Sequence, residues 1–160
     1  SDFLLTQSPT INIPWVKGEM AKEQFLSMRA FDIWAHDQDV RIAIGAPQNL
    51  MSNPGKDAAQ RMFGTLPFIW GKKMGVPSGE SLQLVFTGPD IDGTLFIATG
   101  PEDKAAFVSE PTGEITRIEI SWADFVNGYC GRVDPDVTST RMTGSGPRAR
   151  EFISALASTP

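Results

Sequence analysis

The segment Glu114 to Phe125, reading Glu-Ile-Thr-Arg-Ile-Glu-Ile-Ser-Trp-Ala-Asp-Phe, constrains the fold more than any other part of this chain. Ile118, Ile120 and Trp122 fall on one face, and Arg117, Glu119 and Ser121 on the other. Such alternation marks a half-buried β-strand, because successive side chains leave a strand on opposite sides. The strand therefore runs through Trp122 and carries that ring into the core.

Similar alternation recurs along the chain. Ile11 and Ile13 flank Asn12 ahead of Pro14-Trp15, a short strand with proline at its end. Met20, Phe25 and Met28 predict a short helix over 19–28. Phe31, Ile33 and Ala35, then Val40, Ile42 and Ile44, alternate on either side of Asp37-Gln38-Asp39, which predicts a β-hairpin. Residues 47–55 read as loop, 56–63 as a helical turn or two, and 64–79 as irregular around the apolar knot Leu66-Pro67-Phe68-Ile69-Trp70. Leu82, Leu84 and Phe86 pair across a Gly- and Asp-rich turn with Leu95 and Ile97, the clearest hairpin, with Asp92-Gly93 suited to a positive φ. Strands follow at 105–108 and, on β-branched residues alone, at 137–140. Gly146-Pro147 then starts a helix whose apolar face holds Phe152, Ile153 and Leu156. The fold implied is one β-rich domain over 1–160. It is mostly β, an antiparallel β-sandwich or jelly roll with two or three short helices, including the C-terminal one. The alternative is an α+β sheet with helices on one face.

Composition narrows the function. A length of 160 residues suits one domain able to bury a core without metal or disulfide. The 14 Lys and Arg against 19 Asp and Glu give a net charge of −5, which argues against nucleic acid as a partner. No apolar run approaches the roughly 20 residues that span a bilayer. Ser1-Asp2-Phe3-Leu4-Leu5 lacks the basic and apolar regions of a signal peptide, while the missing initiator Met leaves export open. Cys130 is the only cysteine and His36 the only histidine, too few for an internal disulfide or a structural zinc site. The compartment stays open, with extracellular or virion-associated settings favoured.

No catalytic signature stands in the sequence. His36 beside Asp37 and near Asp39 could serve a small hydrolase, but nothing around Cys130 except Arg132 would stabilise a thiolate. Gly144-Ser145-Gly146 lacks the preceding strand and lysine of a phosphate loop. Asp90-Ile91-Asp92-Gly93 resembles a piece of a calcium loop, so Asp90 and Asp92, with Asp103, are the candidate calcium ligands, although a hairpin turn accounts for them better. No other cofactor is implied. Asp134 and Asp136 read as solvated loop charges. Among the four tryptophans, Trp34 falls on the polar face of its strand and Trp70 in a glycine-bounded loop. An exposed indole can stack on a sugar ring or a partner surface, so these two are the candidate ligand-binding residues.

From Gly79 onward the strands at 81–87, 94–98 and 104–109 lead to Trp122-Ala123-Asp124-Phe125 and then Asp134-Pro135-Asp136-Val137. This half resembles the later part of galactose-binding-like jelly rolls, shared by carbohydrate-binding modules and the complex I intermediate-associated family. The helical tail departs from that pattern, where a strand closes the fold, and no binding residue of those families maps onto this chain. The resemblance implies a non-catalytic binding module, carbohydrate being the ligand class, with Trp34 and Trp70 as stacking surfaces. A structural or assembly domain, such as a viral capsid or protruding domain, is the alternative, and a hydrolase built on His36 the third. Partners on these readings are a glycan or a protein surface, with oligomerisation left open.

Overall fold

The computed structural model describes residues 12–15 and 18–157, with side chains from Ala21 onward, so the Trp15 ring lies outside the described residues. The chain divides into two compact units, Ser1–Ala59 and Gln60–Pro160.

In the first unit, β1 (Asn12–Trp15) pairs antiparallel with β2 (Gly18–Ala21), and α1 (Lys22–Ala43) follows directly. The hairpin expected over 31–44 is therefore helix. Phe31, Trp34, Ala35 and Gln38 are all buried, and their spacing of i, i+3, i+4, i+7 is one helical face. Five residues of period-2 alternation sampled both sides of that helix. Asp37-Gln38-Asp39 is a helical turn, not a loop. Arg29–Asp32 and Arg41–Asp37, both at 2.8 Å, bridge successive turns along it. Beyond α1, the buried Gln38 amide accepts from Asn49 N–H at 2.8 Å and donates to Trp34 C=O at 3.3 Å, pinning the 46–52 loop. Ser52 Oγ accepts from Gly55 N–H at 3.2 Å and so caps α2 (Asn53–Pro67). A Cβ at Gly55 would lie 2.1 Å from Leu50 C=O, so only glycine fits there. The helix α2 continues into the second unit.

The second unit is built on one sheet. Its strands are β3 (Glu80–Thr87), β4 (Gly93–Thr99), β5 (Ala105–Val108), β6 (Glu114–Ser121) and β7 (Thr143–Ser145), in the order β5-β4-β3-β6-β7. Pairing is antiparallel except between β3 and β6, which run parallel. Three helices follow β6 or flank β7: α3 (Trp122–Tyr129), α4 (Pro135–Thr140) and α5 (Ala149–Leu156). One sheet face carries Leu82, Leu84, Phe86, Ile97, Ile118 and Ile120, all at most 1% exposed. Against it pack Phe63, Trp122 and Phe125. Phe86 meets Phe125 edge-on at 5.1 Å and Trp122 stacks on Phe125 at 5.5 Å. In α5, Phe152, Ile153 and Leu156 are buried, as the apolar spacing of the tail predicts.

The β-sandwich or jelly roll is overturned. Helix makes up about 50% and strand 23%, with one mixed five-stranded sheet among the described residues. The architecture is not the two-sheet one that the family resemblance implies. Trp-Ala-Asp-Phe does not close a strand but opens α3. Ser121 Oγ accepts from Asp124 N–H at 3.1 Å, an N-cap that turns the chain at the end of β6. Trp122 is core, but from the first turn of a helix. The strand expected at 137–140 is α4. Asp134 accepts from Asp136 N–H at 2.8 Å and Pro135 stands at the first helical position, two start signals that outweigh the β-branched content. In the β3–β4 turn the positive φ belongs to Gly88, at 120°, rather than to Gly93.

Candidate functional site

Helix α2 does not stop at Pro67. It widens into a π-helical turn over Phe68–Lys73, where Met74 N–H reaches back five residues to Ile69 C=O at 3.0 Å. The wider turn buries Ile69, Trp70 and Gly71 and leaves Phe68 and Lys72 outside. Phe68 is 56% exposed. Such turns recur at functional sites because the extra residue re-aims side chains. Gly71 lets the turn approach β5: a Cβ there would lie 2.7 Å from Ala105 Cβ.

Facing this turn is a 3₁₀ turn, Pro101–Asp103, between β4 and β5. Glu102 and Asp103 both have positive φ, 62° and 53°. A left-handed conformation costs an L-residue about 1–2 kcal/mol, so two in succession are held by their surroundings. Asp103 Oδ1 accepts from Ser78 N–H at 3.0 Å, Gly100 N–H donates to Lys104 C=O at 2.9 Å, and Lys104 Nζ reaches Glu102 Oε2 at 2.6 Å. The two turns enclose an open cleft of about 450 Å³ lined by Phe68, Gly71, Lys72, Asp103, Lys104 and Ala105. That volume suits a small molecule. Lys72 has no ion pair among the described residues, although the chain as a whole is acidic. Opposite Ala105 in the sheet, Thr99 carries a buried hydroxyl with no hydrogen-bond partner among the described residues.

The residues singled out from the sequence lie elsewhere. Trp34 is 3% exposed and Trp70 is 0% exposed, so neither presents an open indole face. Trp34 is turned inward on α1, beside Phe31 at a ring distance of 6.0 Å. Trp70 faces Phe152 of α5 at 6.3 Å. The expectation of exposed stacking platforms is corrected by the helical period of α1 and by the π-turn, both of which send the indoles to the core. The indole nitrogens of Trp34, Trp70 and Trp122 have no hydrogen-bond acceptor among the described residues. Asp90 and Asp92 are exposed in the β3–β4 turn. Asp103 is the backbone acceptor just described. No group of three or more His, Cys, Asp or Glu with metal-binding geometry occurs among the described residues. His36 is exposed on α1, its Nδ1 at 3.1 Å from Asp39 and its Nε2 at 3.5 Å from Asp32, so both ring nitrogens face carboxylates instead of a nucleophile. Cys130 is buried at the C-terminal cap of α3. Ser145, from the glycine-flanked segment, belongs to β7, while Arg148 ahead of α5 is bound to Glu80 of β3. Asp136 pairs with Arg150 at 2.8 Å.

Sequence reasoning passed over Lys72 and Glu102, and named Phe68 only within the apolar knot and Asp103 only as a calcium candidate. Gly100-Pro101 is the one local hint of a turn there. Nothing in the letters marks a π-turn or a positive φ at a glutamate.

No protein-family model matches this chain, and no curated protein matches it. Among the described residues no helix is long and apolar enough to cross a membrane.

Proposed function

We propose that the chain is a non-catalytic binding module whose ligand enters the cleft between the π-turn and the Pro101–Asp103 turn. The observation that carries this reading is the backbone strain at Glu102 and Asp103, the second of which lines a cavity whose other wall exposes Phe68 and Lys72. Strain of that kind collects where a surface is shaped for a ligand. The lining offers an apolar ring and an ammonium group, which recognise, and no nucleophile held by a base. An aromatic ring beside an unpaired cation fits a small organic anion with a flat apolar part. The neutral glycan suggested by the net charge would need the indole faces that the fold buries.

The test is a titration of the protein with small aryl carboxylates, benzoate and phenylacetate, followed by amide chemical shifts. Shifts should cluster at residues 67–72 and 102–105. Lys72→Ala should weaken binding at least fivefold with the melting temperature unchanged, since its side chain is exposed. Shifts confined to other surfaces, or none at millimolar probe, would overturn the assignment.

A further inference from the structure

Two charges of opposite sign line the cleft without meeting. Lys72 stands on the π-turn and Asp103 on the Pro101–Asp103 turn, and both line the cavity. Neither makes an ion pair among the described residues. Lys104, the third charged residue of the lining, is already matched by Glu102 at 2.6 Å. What remains unmatched is one ammonium group and one carboxylate, on opposite walls. The carboxylate is fixed in place: Asp103 Oδ1 accepts from Ser78 N–H at 3.0 Å, which ties the side chain to the segment ahead of β3. A carboxylate has room for further donors, and no donor reaches Oδ2 among the described residues. The Lys72 ammonium sits on a flexible four-carbon stem and can follow a ligand. Phe68, four residues before Lys72 on the same wall, is 56% exposed and offers a ring face.

We propose that the cleft takes a zwitterion, a free α-amino acid with an aromatic side chain. The proposal rests on the cleft-binding reading above and narrows its organic anion to one that also carries an ammonium group. The ligand carboxylate meets Lys72, its ammonium meets Asp103, and its ring lies against Phe68. A plain organic anion satisfies Lys72 but sets a negative charge beside Asp103, which lowers affinity. A plain amine satisfies Asp103 and is repelled by Lys72. A ligand with both groups on one carbon answers both walls at once. Asp103 is held by Ser78 before any ligand arrives, so its share of the binding costs little ordering. Both charged residues are exposed, so each contact raises affinity by a factor of about two to five, the range for ion pairs in reach of solvent. The zwitterion is neutral overall, and the chain's net charge of −5 does not repel it.

Three probes of similar size test it on the unaltered protein: L-phenylalanine, 3-phenylpropionate, which lacks the ammonium, and phenethylamine, which lacks the carboxylate. Each is titrated at pH 7 and followed by the amide shifts of residues 67–72 and 102–105. Phenylalanine should bind at least twofold more tightly than either of the others. Asp103→Asn keeps an oxygen for Ser78 N–H, suits the positive φ of 53° and removes the charge. It should abolish the advantage of phenylalanine over 3-phenylpropionate without weakening the acid. Lys72→Met should weaken phenylalanine and 3-phenylpropionate and spare phenethylamine. If 3-phenylpropionate binds in the cleft as tightly as phenylalanine, or the advantage survives Asp103→Asn, the zwitterion is overturned while anion binding in the cleft stands. If none of the three probes shifts these amides at millimolar concentration, the proposal falls together with the reading beneath it.

Discussion

At the scale of single residues, Glu80 and Arg148 make the interaction with the clearest consequence. Arg148 Nη2 donates to Glu80 Oε1 at 2.8 Å and Nε donates to Oε2, a two-point bond between β3 and the start of α5. The Glu80 side chain is only 14% exposed. The hydrogen bonds from Arg148 hold its carboxyl below the ordinary value of 4.5, and partial burial opposes them without winning. Because the folded pKa lies below the unfolded one, the pair contributes fully above the unfolded value. Its contribution fades as pH falls through the lowered one. Glu80→Gln should cost about 0.5–1 kcal/mol at pH 7, the upper part of the range for a pair in reach of solvent. The gap from wild type should start to close near pH 4.5 and vanish at lower pH. Urea unfolding at a series of pH values reads this directly; a gap independent of pH would show that the charge is not the cause. Tyr129 moves the other way. Burial raises its phenol, which meets Thr65 Oγ1 at 2.9 Å.

At the scale of elements, the junction of β6 and α3 sets the second unit's core. Ile118 and Ile120 come from the strand and Trp122 and Phe125 from the helix, and Ser121 caps the turn between them. Trp122 lies 5.6 Å from Phe63, 5.7 Å from Phe86 and 5.5 Å from Phe125, so it joins α2, β3 and α3. Trp122→Ala should destabilise the protein by roughly 3–5 kcal/mol, the range for deleting a buried large aromatic. Chemical denaturation measures it, and a loss below about 1 kcal/mol would mean that the ring is not enclosed on all three sides. Period-2 alternation carried β3, β4 and β6 because each has one buried face. It misread α1, where Phe31, Ile33 and Ala35 alternate by accident while Phe31, Trp34, Ala35 and Gln38 define the buried side. A short apolar pattern serves both periods, and only the residues that cover it decide between them.

At the scale of the whole molecule, apolar surface remains in both units. Ile33 on α1 is 65% exposed and Ile44, which caps its C-terminus, 72% exposed; with Val40 they lie away from the buried Phe31, Trp34, Ala35 and Gln38. Their burial stabilises nothing within the described residues. Ile33→Lys combined with Ile44→Lys should therefore leave the melting temperature within about 2 °C while lowering light scattering at high concentration. A clear fall in melting temperature would show that this side is packed.

Adjacent residues set the places where the backbone has no choice: the β3–β4 hairpin, the strand that starts at Glu114 and the helix at the C-terminus. Each is written in adjacent residues, by alternation, capping or helical spacing, and depends on no distant partner. The tertiary structure decided the rest. Whether a sheet face is met by a second sheet or by helices depends on segments far away in the chain, so one mixed sheet with α3 and α5 replaced the expected sandwich. The direction in which Trp34 and Trp70 point depends on the helical phase of α1 and on one extra residue in the π-turn. The cleft exists only because Gly71 brings that turn against β5, opposite a pair of strained residues just over thirty positions further on. Contacts of that range leave no local pattern, and the site they build could be found only in the folded chain.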